Sequence, residues 1–190
     1  QSPLSYIKKY LEENPDTKTY TIIGTRIGDE NDMKDFLQRK EFDSFYCSHY
    51  KFPLLVHETV TEQTGKTAPG EEKINRSKIE DPYRKDPDIP AEDQYSFAEY
   101  KTLMKYGLSP GHNTPAGNHQ TTREIWDDSF LMTNMTPQEI VFNSGLWAIF
   151  ENWTKLMGRN KQLKNISVIT GSIVNSKNNY LDGVYMNIPT

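Results

Sequence analysis

Apolar and polar positions follow two different periods along the chain, and the period changes several times between its ends. Near the start, Leu4, Ile7 and Leu11 recur at helical spacing, which predicts a short helix attached to the edge of the fold. The next stretch, from Lys18 to Gly24, has the composition of a short strand. The charged stretch from Asp29 to Lys40 predicts a surface helix.

Strand patterns are more frequent in the rest of the chain. Ser44 to Tyr50 and Leu54 to Thr61 are rich in aromatic and β-branched residues, and their short separation predicts an antiparallel pair. Ser129 to Thr133 predicts a short apolar strand, Ile166 to Val174 a buried strand, and Tyr180 to Ile188 a further strand. Strands before and after a helical segment predict an α+β fold with a mainly antiparallel sheet and packed helices.

A long amphipathic helix is predicted from Pro137 to Met157. It starts at Thr136-Pro137-Gln138-Glu139, which has the form of a capping box with proline at the first helical position. Within it, Asn143, Trp147 and Glu151 recur every four residues and so share one face. A core-facing stripe usually carries leucine or isoleucine at such positions. The amide, the indole and the carboxylate therefore mark a candidate functional face.

The stretch from Glu62 to Asp93 has many charged residues and almost no large apolar side chains, so it predicts a long irregular loop. Long loops inside compact domains are usually functional. Its arginines, Arg76 and Arg84, are candidate phosphate contacts, because a guanidinium can bind phosphate through two hydrogen bonds. The alternative is that both are solvated loop residues. A helical pattern from Ser96 to Tyr106 follows the loop.

The segment from Tyr106 to His119 contains two histidines, three glycines and two prolines. Glycine permits backbone angles that other residues resist and proline fixes φ, so the segment predicts a shaped loop. His112 is a candidate general base within it, because a neutral imidazole can take a proton from water near pH 7. The alternative is a structural turn in which the histidine hydrogen-bonds a carbonyl group.

Composition narrows the classes of function. At 190 residues and 22.0 kDa the chain suits a single core, and its apolar runs are far shorter than the roughly 18 residues of a membrane span. The net charge of −4 provides no overall basic footprint for nucleic acid, although it is compatible with a local basic patch. Cys47 is the only cysteine, which excludes an intrachain disulfide and favours a reducing or mitochondrial compartment.

A cysteine-histidine dyad is an alternative from another enzyme class. Cys47 and His49 are two residues apart on one predicted strand and so face the same side. Their Cα atoms would be ~6.5 Å apart, which is long for a hydrogen bond between a thiol and an imidazole. No Asn or Asp is placed to orient the ring.

Ordered motifs run through these candidates, namely Tyr83-Arg84-Lys85-Asp86-Pro87-Asp88-Ile89-Pro90, Tyr100, Gly107, Gly111-His112, Pro115-Ala116-Gly117-Asn118, Asn134-Met135-Thr136-Pro137-Gln138, Asn143-Ser144-Gly145-Leu146-Trp147, Glu151 and Thr170-Gly171. This series resembles the non-specific DNA/RNA endonuclease family, whose fold is the ββα-metal or His-Me finger. Within that family it is most similar to the mitochondrial endonuclease G group and its exonuclease-like sister group. The resemblance runs from about Ser44 to Thr190.

What the resemblance implies is a metal-dependent phosphodiesterase with Mg²⁺ (or Mn²⁺) as cofactor. His112 matches the family's general base, and Asn143 matches its one direct protein ligand to the metal. Glu151 lies ~12 Å along the helix from Asn143, so it would reach the metal only through bound water. Asn134 lies in a matching motif and is expected, with Arg76 and Arg84, to bind substrate.

Two departures from the family pattern leave two classes of function open. Ser109-Pro110 stands where the family has Asp-Arg, and the proline removes a cation that would stabilise developing phosphate charge. The resemblance also implies a domain over residues 44–190 that lacks the family's C-terminal part, after an N-terminal helical extension over residues 1–43. The first class is a Mg²⁺-dependent nuclease acting on DNA and RNA, and the second is a catalytically inactive structural subunit.

Each class carries its own expected partners. The nuclease would bind nucleic acid, and in either case we expect a homodimer or a place among the subunits of a larger assembly. The resemblance to mitochondrial groups implies a mitochondrial location.

Overall fold

The computed structural model describes residues 35–163, 165–172, 178–181 and 184–187, together with Lys9, Glu12 and Glu13, which are helical and exposed. The remainder of the predicted N-terminal helix and the predicted strand from Lys18 to Gly24 lie outside the described residues. Among the described residues, no helix has the length and apolar character needed to cross a bilayer.

The fold is α+β, as predicted, and its main sheet is antiparallel. The strand order in that sheet is β1-β2-β3-β6, while β4 pairs with β5 and β7 with β8 in two separate two-stranded antiparallel sheets. The strands are β1 (Asp35–Gln38), β2 (Phe42–Cys47), β3 (Phe52–Thr61), β4 (Leu108–His112), β5 (Met135–Glu139), β6 (Asn165–Thr170), β7 (Asn178–Leu181) and β8 (Val184–Asn187).

The helices follow the sheet's first three strands and flank the β4–β5 pair. They are α1 (Phe97–Leu103), α2 (Arg123–Asp128), α3 (Ile140–Phe142) and α4 (Ala148–Gly158). A π-helical turn (Asn143–Trp147) joins α3 to α4, and we call the continuous helix of residues 140–158 the long helix. Short 3₁₀ turns at Arg76–Lys78, Ala91–Asp93, Met104–Tyr106 and Met132–Asn134 complete the structure.

β3 forms the centre of the sheet and is buried over most of its length. It is flanked by β2 and β6, with Val56 opposite both Ser44 and Thr170. Because β3 is covered on both faces, it contains a continuous run of apolar residues. A strand with one solvent-exposed face would instead alternate apolar and polar residues. The strands predicted at Ser44 to Tyr50 and Leu54 to Thr61 are confirmed as β2 and β3. The stretch from Glu62 to Asp93 is mostly irregular, as expected.

The predicted surface helix from Asp29 to Lys40 is wrong over its described part. Asp35–Gln38 is the edge strand β1, and Leu37 is buried opposite Ser44 of β2. The charges of the segment suggested an exposed helix, but Leu37 can be buried in a strand only if its neighbours alternate outward. β1 and the first two residues of β2 thus precede the domain start expected at residue 44.

Three later predictions also differ from the structure. Ser129 to Thr133 continues α2 as successive turns, in which Ser129, Phe130 and Leu131 donate backbone hydrogen bonds to the carbonyls of Trp126, Asp127 and Asp128. Thr136 to Glu139 is not a capping box but most of β5, so the long helix begins at Ile140. Within Tyr180 to Ile188, the described residues belong to the β7–β8 hairpin, not to one strand.

A buried cluster of Tyr95, Tyr100, Leu103, Met132 and Met135 packs α1 against β5. α1 begins with a complete capping box, in which Ser96 accepts from the Glu99 amide and Glu99 accepts from the Ser96 amide. Because Met135 is the first residue of β5, this cluster fixes one strand of the β4–β5 pair within the body of the protein.

Candidate active site

β4, β5 and the long helix form a compact ββα unit, which we call the finger. His112 is the last residue of β4 and lies opposite Met135, the first residue of β5. The shaped loop predicted from Tyr106 to His119 therefore contains a strand, Leu108–His112, and an irregular segment follows it. Pro110 lies opposite Pro137, and because neither proline has an amide hydrogen, this pair occupies a position of the ladder that needs none.

The imidazole of His112 lies against aromatic rings. Its ring centroid is 4.8 Å from that of Phe130 in an edge-on contact and 6.1 Å from that of Tyr83. Nε2 is enclosed and has no hydrogen-bond partner among the described residues. Burial and then the charges of His119 and Arg76 lower the pKa of His112 to about 4. The imidazole is therefore neutral at pH 7, as a general base must be.

Asn143 is tied to β4 through Ser109. The Asn143 side chain donates from Nδ2 to Ser109 Oγ at 3.1 Å, and Ser109 Oγ donates to the Gln138 carbonyl at 3.3 Å. Ser109 thus fixes the orientation of the amide and leaves Asn143 Oδ1 as an available oxygen. One helical turn further on, Trp147 donates from Nε1 to the carbonyl oxygen of His112 at 3.1 Å. The helix that carries Asn143 is therefore fastened to the strand that carries His112.

Glu151 lies one turn beyond Trp147 on the same face of the long helix. Burial and then the charge of Glu58 raise the pKa of Glu151 to about 7, in spite of a hydrogen bond from Trp147 and the charge of Lys155. Its carboxyl group therefore changes charge near neutral pH, which is common for residues at functional sites. The predicted shared face of Asn143, Trp147 and Glu151 is the face that meets the rest of the finger.

Arg76 is the predicted phosphate contact that the structure brings to His112. Its guanidinium carbon lies 5.6 Å from the centroid of Phe130, the ring that also contacts His112, and Nη1 donates to the Ile79 carbonyl at 2.6 Å. Its charge is one of the causes that lower the pKa of His112. The side chain is exposed, so the guanidinium can meet a solvent-borne anion.

Arg84 and Asn134 are placed differently. Arg84 lies 3.9 Å from a carboxylate oxygen of Asp127 and 3.7 Å from one of Asp128, which neutralise much of its charge. The Asn134 side chain is buried, donates to the carbonyls of Thr114 and Ser129, and accepts from the Thr114 amide. These bonds hold the segment after His112 in place and leave the amide of Asn134 no accessible polar atom for substrate.

A buried network that the sequence patterns do not predict lies behind the finger. His119 hydrogen-bonds Glu41 through Nδ1 at 3.0 Å, while Nε2 is 2.6 Å from Thr114 Oγ1 and 3.4 Å from a Glu58 oxygen. Asn118 also donates to Glu58 at 3.0 Å. Burial alone would lower the pKa of His119, but the hydrogen bonds and charges of the two glutamates raise it above the ordinary value.

One sequence feature points to this network, which is the position of His119 in the histidine-rich segment. No sequence feature points to its partners. Lys155 of the long helix is joined to the same region, because Nζ donates to the carbonyl of Gly117. A Cβ atom on Gly65, whose φ is +73°, would collide with this Lys155 amine, so the close crossing depends on glycine at that position.

The residues present suit a hard divalent cation with few protein ligands. Among the described residues, no group of three or more His, Cys, Asp or Glu side chains is arranged to hold a metal ion. Mg²⁺, however, keeps most of its waters and is often held by one or two protein oxygens, with substrate phosphates completing its shell. The amide oxygen of Asn143, oriented by Ser109, could serve as such a ligand.

The alternative cysteine-histidine dyad does not fit the structure. Cys47 is the last residue of β2 and is buried, while His49 lies in the turn that follows and is exposed, with its ring 4.9 Å from that of Tyr50. The two residues are therefore not on one face of a common strand, and the reason for proposing the dyad disappears.

Several known proteins are similar to this chain. A model of the DNA/RNA non-specific endonuclease family matches residues 21–190. The chain is 29% identical over 149 residues to nuclease C1 of Cunninghamella echinulata var. echinulata, covering 78% of this chain and 55% of that protein. It is 25% identical over 161 residues to the mitochondrial nuclease of Saccharomyces cerevisiae, covering 84% and 46%. Human mitochondrial endonuclease G is 29% identical over 91 residues, covering 48% and 29%.

A solved structure shows the same fold. A chain in the crystal structure of an EndoG/EndoGI complex superposes with a TM-score of 0.63 at 22% identity, covering 80% of this chain and 58% of that one. The chain spans about half the length of the first curated relatives that it matches.

Proposed function

Because the chain belongs to the DNA/RNA non-specific endonuclease family, we propose that it hydrolyses phosphodiester bonds in DNA and RNA with His112 as general base and Mg²⁺ (or Mn²⁺) as cofactor. The observation that carries the proposal is the neutral, enclosed imidazole of His112, whose Nε2 has no hydrogen-bond partner within the described part of the chain, beside the exposed cation of Arg76. A water molecule at Nε2 would satisfy a buried polar atom and stand ready to lose a proton.

His112 takes that proton as the water attacks phosphorus. A pKa of about 4 makes a free imidazole a weak base at pH 7, since catalysis is most efficient when the two values are close. Binding of a phosphate group reduces part of this mismatch, because its negative charge offsets Arg76, which lowers the pKa of His112 after the larger effects of burial and His119. His112 therefore becomes a stronger base when substrate is in place.

Asn143 would hold the metal through Oδ1, with its amide turned by Ser109. When bound, Mg²⁺ would stabilise the negative charge that develops on the phosphate and on the leaving oxygen. Glu151 accepts hydrogen bonds from water near this position once it is ionised, which a carboxyl pKa of about 7 allows at slightly alkaline pH. Trp147 keeps the helix and the base strand in register.

Substrate recognition rests on Arg76 more than on the other predicted contacts. Arg76 is exposed and close to the aromatic wall of His112, so a phosphate bound there would lie near the base. Arg84 is partly neutralised by Asp127 and Asp128 and contributes less. Asn134 supports the finger from behind and would not contact substrate.

The test is a cleavage assay on single- and double-stranded DNA and RNA with and without Mg²⁺. We expect cleavage that requires the metal and falls by about two to four orders of magnitude in His112→Ala, because the water then has no base. His49→Ala, a change at an exposed turn histidine, is the matched control and should leave the rate unchanged. Equal rates for wild type and His112→Ala would overturn the proposal.

A second candidate is a catalytically inactive, nuclease-like structural subunit of a larger assembly. The observation that favours it is Pro110, which is buried opposite Pro137 at the place where the family resemblance puts an arginine. Loss of one such charge-stabilising group typically costs two to three orders of magnitude in rate. On this candidate the wild type cleaves no faster than His112→Ala and is isolated in stoichiometric association with other proteins.

Pro110→Arg separates a slow nuclease from an inactive one. In a slow nuclease the new guanidinium should raise the rate, provided that far-ultraviolet circular dichroism shows an intact fold. We also propose a mitochondrial location, supported by the mitochondrial names of several relatives. Fluorescence microscopy of the tagged full-length protein would test the location.

A further inference from the structure

The irregular segment that follows His112 is anchored by buried side chains. Thr114 lies two residues after His112, is 1% exposed, and places its hydroxyl oxygen 2.6 Å from Nε2 of His119. His119 is itself only 2% exposed. A hydrogen bond between two buried groups is costly to break, because neither group can replace its partner with water.

Thr114 is held through its backbone as well as its side chain. Its amide donates to Asn134 Oδ1 at 3.1 Å, and its carbonyl accepts from Asn134 Nδ2 at 3.0 Å. The amide of Asn113, the residue between His112 and Thr114, donates to the Asn134 carbonyl at 3.0 Å. These bonds fix the segment relative to β5, and the contact with His119 ties it to elements outside the finger.

His119 connects Thr114 to the main sheet. Its Nδ1 is 3.0 Å from a carboxylate oxygen of Glu41, just before β2, and its Nε2 is 3.4 Å from one of Glu58 in β3. In spite of burial, the two carboxylates raise the pKa of His119, which favours the protonated ring with a hydrogen on both nitrogens. In that state Nε2 donates and Thr114 Oγ1 accepts, so the contact is a charge-assisted hydrogen bond.

The position of His112 depends on the chain on both sides of it. The β4–β5 ladder ends at the pair His112 and Met135, so the chain before His112 is fixed by strand pairing. The chain after it has no regular structure and depends on the bonds of Thr114. A shift of that chain would move the imidazole relative to Phe130, whose ring it contacts edge-on.

We propose that Thr114 and His119 are positioning residues for catalysis, because the hydrogen bond between them holds the chain after His112 and so keeps Nε2 of the base directed at the attacking water. This inference rests on the proposed function, since it concerns the same base. A base displaced by about 1 Å can lose roughly two orders of magnitude in rate. Both residues are buried and do not touch substrate, so the effect falls on the chemical step and not on substrate binding.

The charge of His119 acts on the base as well. After burial, it is the first of the charges that lower the pKa of His112 to about 4. Around His119 the described residues place Glu41 before β2, Glu58 on β3 and the ring of Phe42, whose centroid is 5.2 Å away. The network therefore holds the imidazole of His112 in place and also favours its neutral form.

The first test compares Thr114→Val with Thr114→Ser. Valine keeps the shape of threonine without the hydroxyl, whereas serine keeps the hydroxyl. We expect kcat on a DNA substrate to fall by about ten- to a hundredfold in Thr114→Val with KM unchanged, and to recover in Thr114→Ser. Equal kcat values for wild type and folded Thr114→Val would overturn the proposal.

Thr133→Val is the matched control for a loss of stability alone. Thr133 is also a buried threonine, but its hydroxyl donates to Asp86 and not to the network of His119. The variant should unfold at a lower urea concentration than the wild type and keep the wild-type kcat. A fall in kcat as large as that of Thr114→Val would show that any buried hydroxyl has this effect, which would overturn the positioning role.

The second test needs neither substrate nor metal, so it is independent of nuclease activity. Nuclear Overhauser contacts between the rings of His112 and Phe130 report the position of the base in the free protein. We expect these contacts to weaken in Thr114→Val and to persist in Thr114→Ser and Thr133→Val. Unchanged contacts in Thr114→Val would overturn the proposal even if the wild type cleaves nucleic acid. If the wild type cleaves nothing, the proposed function fails and this comparison alone decides whether the bond holds His112.

An NMR titration of the histidine ring protons separates position from charge. The midpoint of His112 should lie near pH 4 in the wild type and in Thr114→Val, where His119 keeps its charge. His119→Gln keeps a hydrogen-bond donor and removes the charge, so the midpoint should rise, although burial keeps it below about 6.5. A midpoint that stays at the wild-type value in folded His119→Gln would overturn the role of the charge.

Discussion

His112 shows how one side chain can have the geometry of a base and a low affinity for protons. Its ring is held between Phe130 and Tyr83, and Arg76 adds a positive charge nearby. A histidine in water would become protonated near pH 6.5, whereas this one stays neutral down to about pH 4. The pH dependence of the reaction should therefore come from another group.

That group is Glu151, whose pKa is raised to about 7. At saturating Mg²⁺ we expect kcat/KM to fall as pH drops through about 7, because the carboxylate form is lost while His112 is still neutral. Glu151→Gln should be slower at pH 8 and show no change between about pH 5 and 8, since only His112 then titrates, near 4. A Glu151→Gln profile that keeps its fall near neutral pH would contradict this assignment.

Arg76 and Arg84 provide a second comparison between single residues. We expect Arg76→Ala to lower kcat/KM by about two orders of magnitude, because an exposed guanidinium beside the base can stabilise charge on phosphate. Arg84→Ala should cost much less, since Asp127 and Asp128 already neutralise that side chain. Lys78→Ala, in the same short turn as Arg76, is the control for a general loss of positive charge. Equal losses from the two arginine variants would show that proximity to His112 does not determine which arginine stabilises charge on phosphate.

Among the elements, the β4–β5 pair depends on a close approach between Gly111 and Gln138. A Cβ atom on Gly111 would lie 2.0 Å from Gln138 Oε1 and 2.6 Å from its Cγ. Gly111→Ala should therefore displace the Gln138 side chain and disturb the strand that ends in His112, at a cost of about 1–3 kcal/mol in unfolding free energy.

Removing the clash should restore the element. The double variant Gly111→Ala with Gln138→Gly is expected to recover much of the activity that Gly111→Ala loses, and urea denaturation should show a favourable coupling between the two changes. Additive losses would mean that Gly111 is needed for a different reason.

The long helix and the β2–β3 pair could be predicted because each has a strong local pattern. β5 could not, since Thr136 to Glu139 has the local chemistry of a helix start and forms a strand only because Leu108 to His112 pairs with it. The motif around Asn134 suggests a substrate contact, because a motif alone does not reveal that the side chain is buried. The partners of His119 could not be predicted, since Glu41 is distant in sequence and only the folded chain brings it close.

Across the whole molecule, His119 joins the turn before β2, the middle of β3 and the segment that follows the finger strand. Replacing it by alanine would leave Glu58 buried and Glu41 half-buried without their shared partner, which should cost about 3–5 kcal/mol in unfolding free energy at pH 6. Urea denaturation of His119→Ala beside the exposed-residue control His49→Ala would measure it.

The sign of its pH dependence follows from the raised pKa of His119. The charged imidazole adds stability that is complete below the unfolded-state value of about 6.5 and is lost as pH rises through the higher folded-state value. The gap in stability between wild type and His119→Ala should therefore narrow as pH rises above neutrality. A gap that widens with pH would contradict the charged state of the histidine.

The contacts of Lys155 determine which segments of the protein unfold together. It runs from the long helix past Gly65 to the Gly117 carbonyl, while the amides of Gly65 and Ala68 donate to the carbonyls of Asn118 and Thr121. Fraying of the last turns of the helix would free both loops at once, so the three segments form one cooperative unfolding unit. Their amide hydrogens should exchange with deuterium at a common opening free energy, although in sequence they are far apart.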